Sequence, residues 1–238
     1  MLKISFSTLS YFQNWRTFVV SFLLEPIFGI LMITLLSAQF SSANAIKSVV
    51  AMTAISGIQM LLNSLSALFV GDQMRGIARE VAVVAPYSIR YWFSKIIVAI
   101  IVALGQTIVI LTLIIILTHD ISWLTRAVII LLPMMISGTI VSFVAVIASW
   151  QKEDPYLVPN IINTVIVLLS GVIVPISQYP NWLAFFANIL PFSHSIEWLT
   201  TGNGQIYPDF IIAAVWLTGA IILYLWKLNK IKQKLDVY

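Results

Sequence analysis

The sequence predicts an all-α integral membrane protein: six transmembrane helices, an N-terminal amphipathic interfacial helix, and short or re-entrant helices between the fifth and sixth spans. Three observations carry this. Of 238 residues, 60% are hydrophobic and 9% charged, whereas soluble domains run at roughly 45–50% and 25%. A chain this apolar cannot cover itself with polar side chains, and lipid is the solvent that suits it. Six stretches reach or approach the ~20 apolar residues needed to cross about 30 Å of hydrocarbon: 17–38, 48–70, 96–118, 127–150, 156–176 and 210–226. The alternating strands of a barrel are absent, so helices must satisfy the backbone within each segment.

Residues 1–16 form the first element. Lys3, Ser7, Ser10, Asn14 and Thr17 recur at spacings of four and three, with Leu2, Phe6, Leu9 and Phe12 beside them. That is an amphipathic helix lying in the membrane interface, and both a simple anchor and a functional contact fit it. The rest, 17–238, reads as one membrane domain. Its first span follows a basic flank and precedes Ala43-Asn44-Ala45, as in a signal peptide. The run is too long for that, however, and it contains Glu25-Pro26, so a retained span is expected. Glu25 is an acidic residue inside a span, near its cytoplasmic end, and such residues point to function. A role on a translocation path and a structural pairing are equally open. Pro26 can kink the span.

The loop 71–95 reads as a helix over 72–85, a break at Pro86, which disfavours helical geometry in Ala85, and a helix from Ser88 onward. Ile77, Val81 and Val84 share one face, and Arg75 and Arg79 another. The apolar face must be buried, against neighbouring helices or on a soluble partner. Small residues spaced by four, Ala99/Ala103 and Gly138/Ser142, permit close helix packing. Between the fifth and sixth spans, 177–209 holds Pro180, Pro191 and Pro208 around a short apolar run, 182–190. Too short to cross, that run is expected to be re-entrant or interfacial.

Orientation follows from the basic residues. Eleven of thirteen Lys and Arg fall on one side, with only Lys47 and Arg126 on the other. Both termini are therefore expected in the cytoplasm, with the chain in the cell membrane. The net charge of +4 is modest and not clustered as nucleic-acid binding requires, and without Cys there are no disulfides or thiolate sites. No GxxxxGK[ST] loop or HExxH occurs. Ser193-His194 lacks the context of a nucleophile–base pair.

The assembled pattern resembles the permease subunits of ABC type-2 exporters. The most specific part is Ser170-Gly171-Val172-Ile173-Val174-Pro175, then Tyr179-Pro180-Asn181-Trp182-Leu183, Leu190-Pro191 and Ile196-Glu197. The resemblance implies a homo- or heterodimeric membrane domain served by two separate cytoplasmic ATPase subunits, which hold ATP and Mg; no cofactor is expected on this chain. It implies that residues 1–16 and the 71–95 loop (Arg75, Ile77, Arg79, Val81, Val84) contact the ATPase. The first span, with Glu25 and Pro26, and the fifth would line the dimer interface and the export path, and Pro175, Pro180, Trp182, Pro191 and Glu197 an extracytoplasmic gate. The family's Gly-Thr at the start of the loop helix is replaced here by Gly76-Ile77. An amphipathic peptide, drug or lipid-like molecule is the expected cargo. An ion-gradient-driven secondary transporter is the alternative, although no internal repeat of the kind such proteins carry is visible.

Overall fold

The computed structural model describes residues 2–40, 45–119 and 121–235. Among them every regular element is helical: α1 (Leu2–Thr8), α2 (Ser10–Gln13), α3 (Trp15–Val19), a π-helical turn (Val20–Leu24), α4 (Glu25–Phe40), α5 (Ala45–Met74), α6 (Ile77–Val84), α7 (Ile89–Thr118), α8 (Leu124–Ser149), α9 (Leu157–Leu169), a 3-10 turn (Ile176–Gln178), α10 (Asn181–Asn188), α11 (Ser193–Thr201) and α12 (Tyr207–Leu235).

Among the described residues five segments are long and apolar enough to cross a membrane: Trp15–Leu36, Lys47–Met74, Ile89–Thr118, Leu124–Ser149 and Tyr207–Ile231. The expected fifth of six spans, 156–176, instead contains the 13-residue α9, about 20 Å long at the helical rise of about 1.5 Å per residue. It stops because Ser170 is followed by Gly171 in the left-handed region, φ 76°. Such a conformation suits glycine and ends helices. An added Cβ there would also lie 2.8 Å from Ile176 Cγ1.

Three other expectations shift for similar local reasons. The single helix expected over 1–16 is interrupted at Leu9 and Asn14, both in extended conformation. The Asn14 side chain accepts from the Arg16 N–H at 3.0 Å and caps α3. The loop helix begins at Ile77 rather than 72, because α5 runs on to Met74 and Gly76 turns the chain at φ 78°. The last helix extends well past 226, carrying Lys227 and Lys230 on its final turns.

α5 is the axis of the bundle. It packs against α4, α7, α8, α9 and α11, and most of its side chains, small hydroxyls such as Ser56, Ser64 and Ser66 included, are buried. Hydrophobic transfer gives helices no reason to associate in lipid, so close van der Waals fit must hold them. Gly57 shows that fit: a Cβ there would collide with Thr107 Oγ1 on α7 and lie 3.2 Å from the Met135 methyl on α8. The outward faces stay apolar, with Ile108, Leu132, Val215 and Ile222 exposed, as a lipid-facing surface requires.

The core forms two layers along α5. Ile55, Ile58 and Leu62 pack with Ile130, Ile166 and Phe192 at the end holding α10 and α11. Leu61, Leu65 and Phe69 pack with Leu9, Val98, Ile147 and Trp150 at the end holding α6. There Trp92 stacks on Phe69 (5.5 Å) and meets Phe143 and Tyr224 edge-on. The Tyr224 hydroxyl donates to the Pro86 carbonyl at 2.5 Å, fixing the α6–α7 connection to α12.

Candidate functional site

A polar cavity of about 80 Å³ opens at the junction of the two core layers. Its position follows from the sequence of each helix. α5 turns Ser56, Gln59 and Asn63 toward it, residues three and four apart and hence on one face. Midway along the apolar stretch Trp15–Leu36, Ser21, Glu25 and Pro26 form another wall, and Gln106 of α7 and Asn163 of α9 complete it. The cavity is large enough for water and polar enough to hold it.

The irregular backbone beside Glu25 shapes this wall. Pro26 has no N–H to give the Phe22 carbonyl four residues earlier. The helix widens into the π-turn, with the Glu25 N–H reaching Val20 O, and π-turns of this kind concentrate at functional sites. Gln106 Nε2 donates to the Phe22 carbonyl at 3.3 Å, and Gln59 Nε2 to the Asn163 backbone carbonyl at 3.5 Å. Gln106 Oε1 and Asn163 Oδ1 are left buried without a hydrogen-bond partner. Among the described residues Glu25 forms no ion pair. Its carboxylate acts on Tyr11 of α2, whose phenol is pushed up to about 12 by burial first, then by Glu25 and Tyr156.

At the α6 end, Ala78 and Ala82 face the bundle at 3% and 2% exposure, packed toward α5 and α12. Val81 is half-buried, while Ile77 and Val84 are exposed, Val84 at 84%. Arg75 and Arg79 are exposed beside them. The apolar ridge read from the sequence is therefore mostly uncovered, and Met74 and Tyr87 extend it. Lys95, which the charge count placed on this loop, is buried: its Nζ lies 2.7 Å from Asp72 Oδ2 and donates to Leu68 O at 3.2 Å. Asp72 is thus a second acidic group within a membrane-length helix.

At the opposite end, Pro175 precedes the 3-10 turn and Pro180 is the N-cap of α10. Trp182 joins Tyr179, Leu168, Ile173 and Phe186 around an apolar groove of about 610 Å³, and the Tyr179 hydroxyl donates to Leu168 O at 2.8 Å. Pro191 is buried, and Glu197 is exposed on α11 away from that groove. The charged residue that organises this end is Asp209. Almost wholly buried, it accepts from the His194 and Ser195 N–H groups (3.2 and 2.7 Å), from Ser195 Oγ (2.6 Å), and pairs with His194 Nδ1 (2.9 Å). It thereby caps α11 from the first turn of α12.

Sequence reasoning singled out Glu25 and Pro26 but not the amides around them, nor Asp72 and Asp209. Polar letters inside apolar runs were the available signal for the amides; nothing local marks the two aspartates as anchors.

A family model described as ABC-2 type transporter matches residues 2–202, spanning the cavity, the loop and both short helices. No curated protein matches the chain.

Proposed function

Starting from the chain's membership of the ABC-2 type transporter family, which the match over residues 2–202 shows, we propose that it is the membrane permease subunit of an ATP-driven exporter. ATP and Mg are assigned to separate cytoplasmic ATPase subunits, the working unit to a dimer of this chain or of this chain with a related permease. Both termini and α6 are assigned to the cytoplasm, on the eleven-to-two distribution of basic residues. The expected cargo is an amphipathic or hydrophobic molecule, a peptide, drug or lipid-like compound, moving past the first span and leaving beside α10 and α11.

The uncovered face of α6 carries this reading. An exposed apolar ridge flanked by Arg75 and Arg79 suits a groove on a soluble subunit, where burial contributes roughly 25 cal/mol per Å². The arginines would sit at the rim and act mainly on association rate. Force applied to α6 has rigid routes into the bundle. α5 leads from the Gly76 turn to Gln59 and Asn63, the Asp72–Lys95 pair ties α5 to α7, and Tyr224 ties Pro86 to α12.

The test is co-purification of the ATPase with this chain, followed by ATP hydrolysis in nanodiscs. Val84→Asp, on a side chain free of the bundle, is expected to release or uncouple the ATPase without loss of folded protein. Arg79→Ala is expected to act mildly and more strongly at low salt. A Val84→Asp protein that keeps its ATPase and transports normally would remove α6 as the coupling element.

A further inference from the structure

The cavity beside the first span gathers one carboxylate and two buried amide oxygens that lack donors. Its amide nitrogens at Gln59 and Gln106 are committed to backbone carbonyls. Exchanging the two ends of the Gln106 amide would set oxygen against the Phe22 carbonyl, so the unpaired atom is the oxygen. The carboxylate is that of Glu25, which has no ion pair among the described residues, and the oxygens are Gln106 Oε1, on a residue 3% exposed, and Asn163 Oδ1. Buried acceptors without donors are rare in native proteins and call for a partner. A carboxylate within an apolar span is costly unless something cationic meets it. The walls also offer apolar surface from Met52, Met60 and Pro26, which suits a short hydrocarbon stem.

We propose that this cavity binds an organic cation bearing N–H donors, an alkylammonium or alkylguanidinium group, and that this group belongs to the transported molecule. The claim rests on the export reading and narrows it to cationic amphiphiles. Glu25 supplies the charge. Gln106 and Asn163 accept from the N–H groups, so a quaternary ammonium, which has the charge but no donors, is discriminated against. A neutral urea has donors without the charge and is discriminated against as well.

The probe is octylguanidinium, titrated calorimetrically into the full chain in phosphatidylcholine nanodiscs, with empty discs subtracted. Saturable binding is expected, weakened at least about tenfold by Glu25→Gln, the size of one lost charged hydrogen bond. Glu25→Asp should restore most of it. Octyltrimethylammonium and octylurea should each bind at least about tenfold more weakly. The melting temperature of each variant reports folding, and Asn163→Ala, which removes an acceptor that has no protein partner, should also weaken binding and gives a second variant should Glu25→Gln be poorly folded. Equal binding by Glu25→Gln, equal binding of octyltrimethylammonium, or displacement of the probe by sodium would overturn the assignment. Loss of probe binding when phosphatidylethanolamine replaces phosphatidylcholine would reassign the site to a lipid headgroup and also overturn it. The titration needs no ATPase, so it fails or succeeds separately from the Val84→Asp co-purification.

Discussion

The Asp72–Lys95 pair offers the clearest energetic test of how the α6 end is held. The two groups meet at 2.7 Å with side chains only 13% and 6% exposed, so water screens them weakly. Lys95 has two further supports, the Leu68 carbonyl and the Tyr91 ring, 5.0 Å from its Nζ to the centroid. Asp72 has no second ion pair among the described residues, and the Tyr91 phenol lies beside it. The two single substitutions should therefore differ. Lys95→Met strands a buried carboxylate and should cost about 3–5 kcal/mol. Asp72→Asn keeps a hydrogen-bonding group beside a lysine that retains its other contacts, and should cost about 1.5–3 kcal/mol. Replacing both, Asp72→Leu with Lys95→Met, removes the desolvation penalty along with the attraction, and should fall within about 1 kcal/mol of the native protein. Unfolding in detergent micelles titrated with dodecyl sulfate, followed by tryptophan fluorescence, gives all three values. A Lys95→Met protein within about 0.5 kcal/mol of native would mean that the pair is solvated like a surface bridge, and would refute the reasoning.

Two other sites make independent predictions. Gly57→Ala should destabilise by about 1–3 kcal/mol through overpacking, and Thr107→Ala, which removes the colliding oxygen, should restore much of the loss in the double variant; additive losses would show that the α5–α7 approach is not the cause. Asp209→Asn turns an amide group toward some of the donors that now converge on the carboxylate, and should lower the melting temperature by an amount corresponding to about 1–3 kcal/mol; an unchanged melting temperature would show that α11 does not depend on this cap.

How much of this was legible in the sequence depended on the range over which each signal acts. Hydropathy finds long apolar helices because each must be apolar along its own length, and α7, α8 and α12 were all visible that way. It overran at 156–176, since an average over apolar letters does not register that Gly171 adopts φ 76°. The Ser170-Gly171 pair was recognised as part of a pattern, yet its physical meaning, a helix end, was available from the glycine alone. Gly76 is the same case: placed after Met74 and Arg75, it ends α5 and resets the phase of α6, which turns Ala78 and Ala82 inward and leaves Val84 out. Convergence was illegible. Gln59, Gln106 and Asn163 stand far apart in the chain, and only the packing of α7 and α9 on α5 brings them together. For the same reason Asp209 reads as the last residue of the 177–209 connection rather than as the cap of a helix fourteen residues earlier.

One of the cavity's unpaired acceptors can be traced to a single covalent fact, the missing N–H of Pro26. Without it the Phe22 carbonyl lacks its helical donor, and in lipid such a group must be satisfied from elsewhere in the protein. Gln106 Nε2 supplies the donor, and an amide that gives its nitrogen to one wall keeps its oxygen for the other. The defect in the first span thus becomes an unpaired acceptor on α7, beside the carboxylate that precedes the proline. Glu25 and Pro26 act together: the proline leaves the backbone short of a donor, Gln106 answers it, and the oxygen left over lies in the wall of the cavity that Glu25 charges. A leucine at 106 would leave the Phe22 carbonyl without this donor, so the polarity of this one position serves the fold of the first span and the chemistry of the cavity at once.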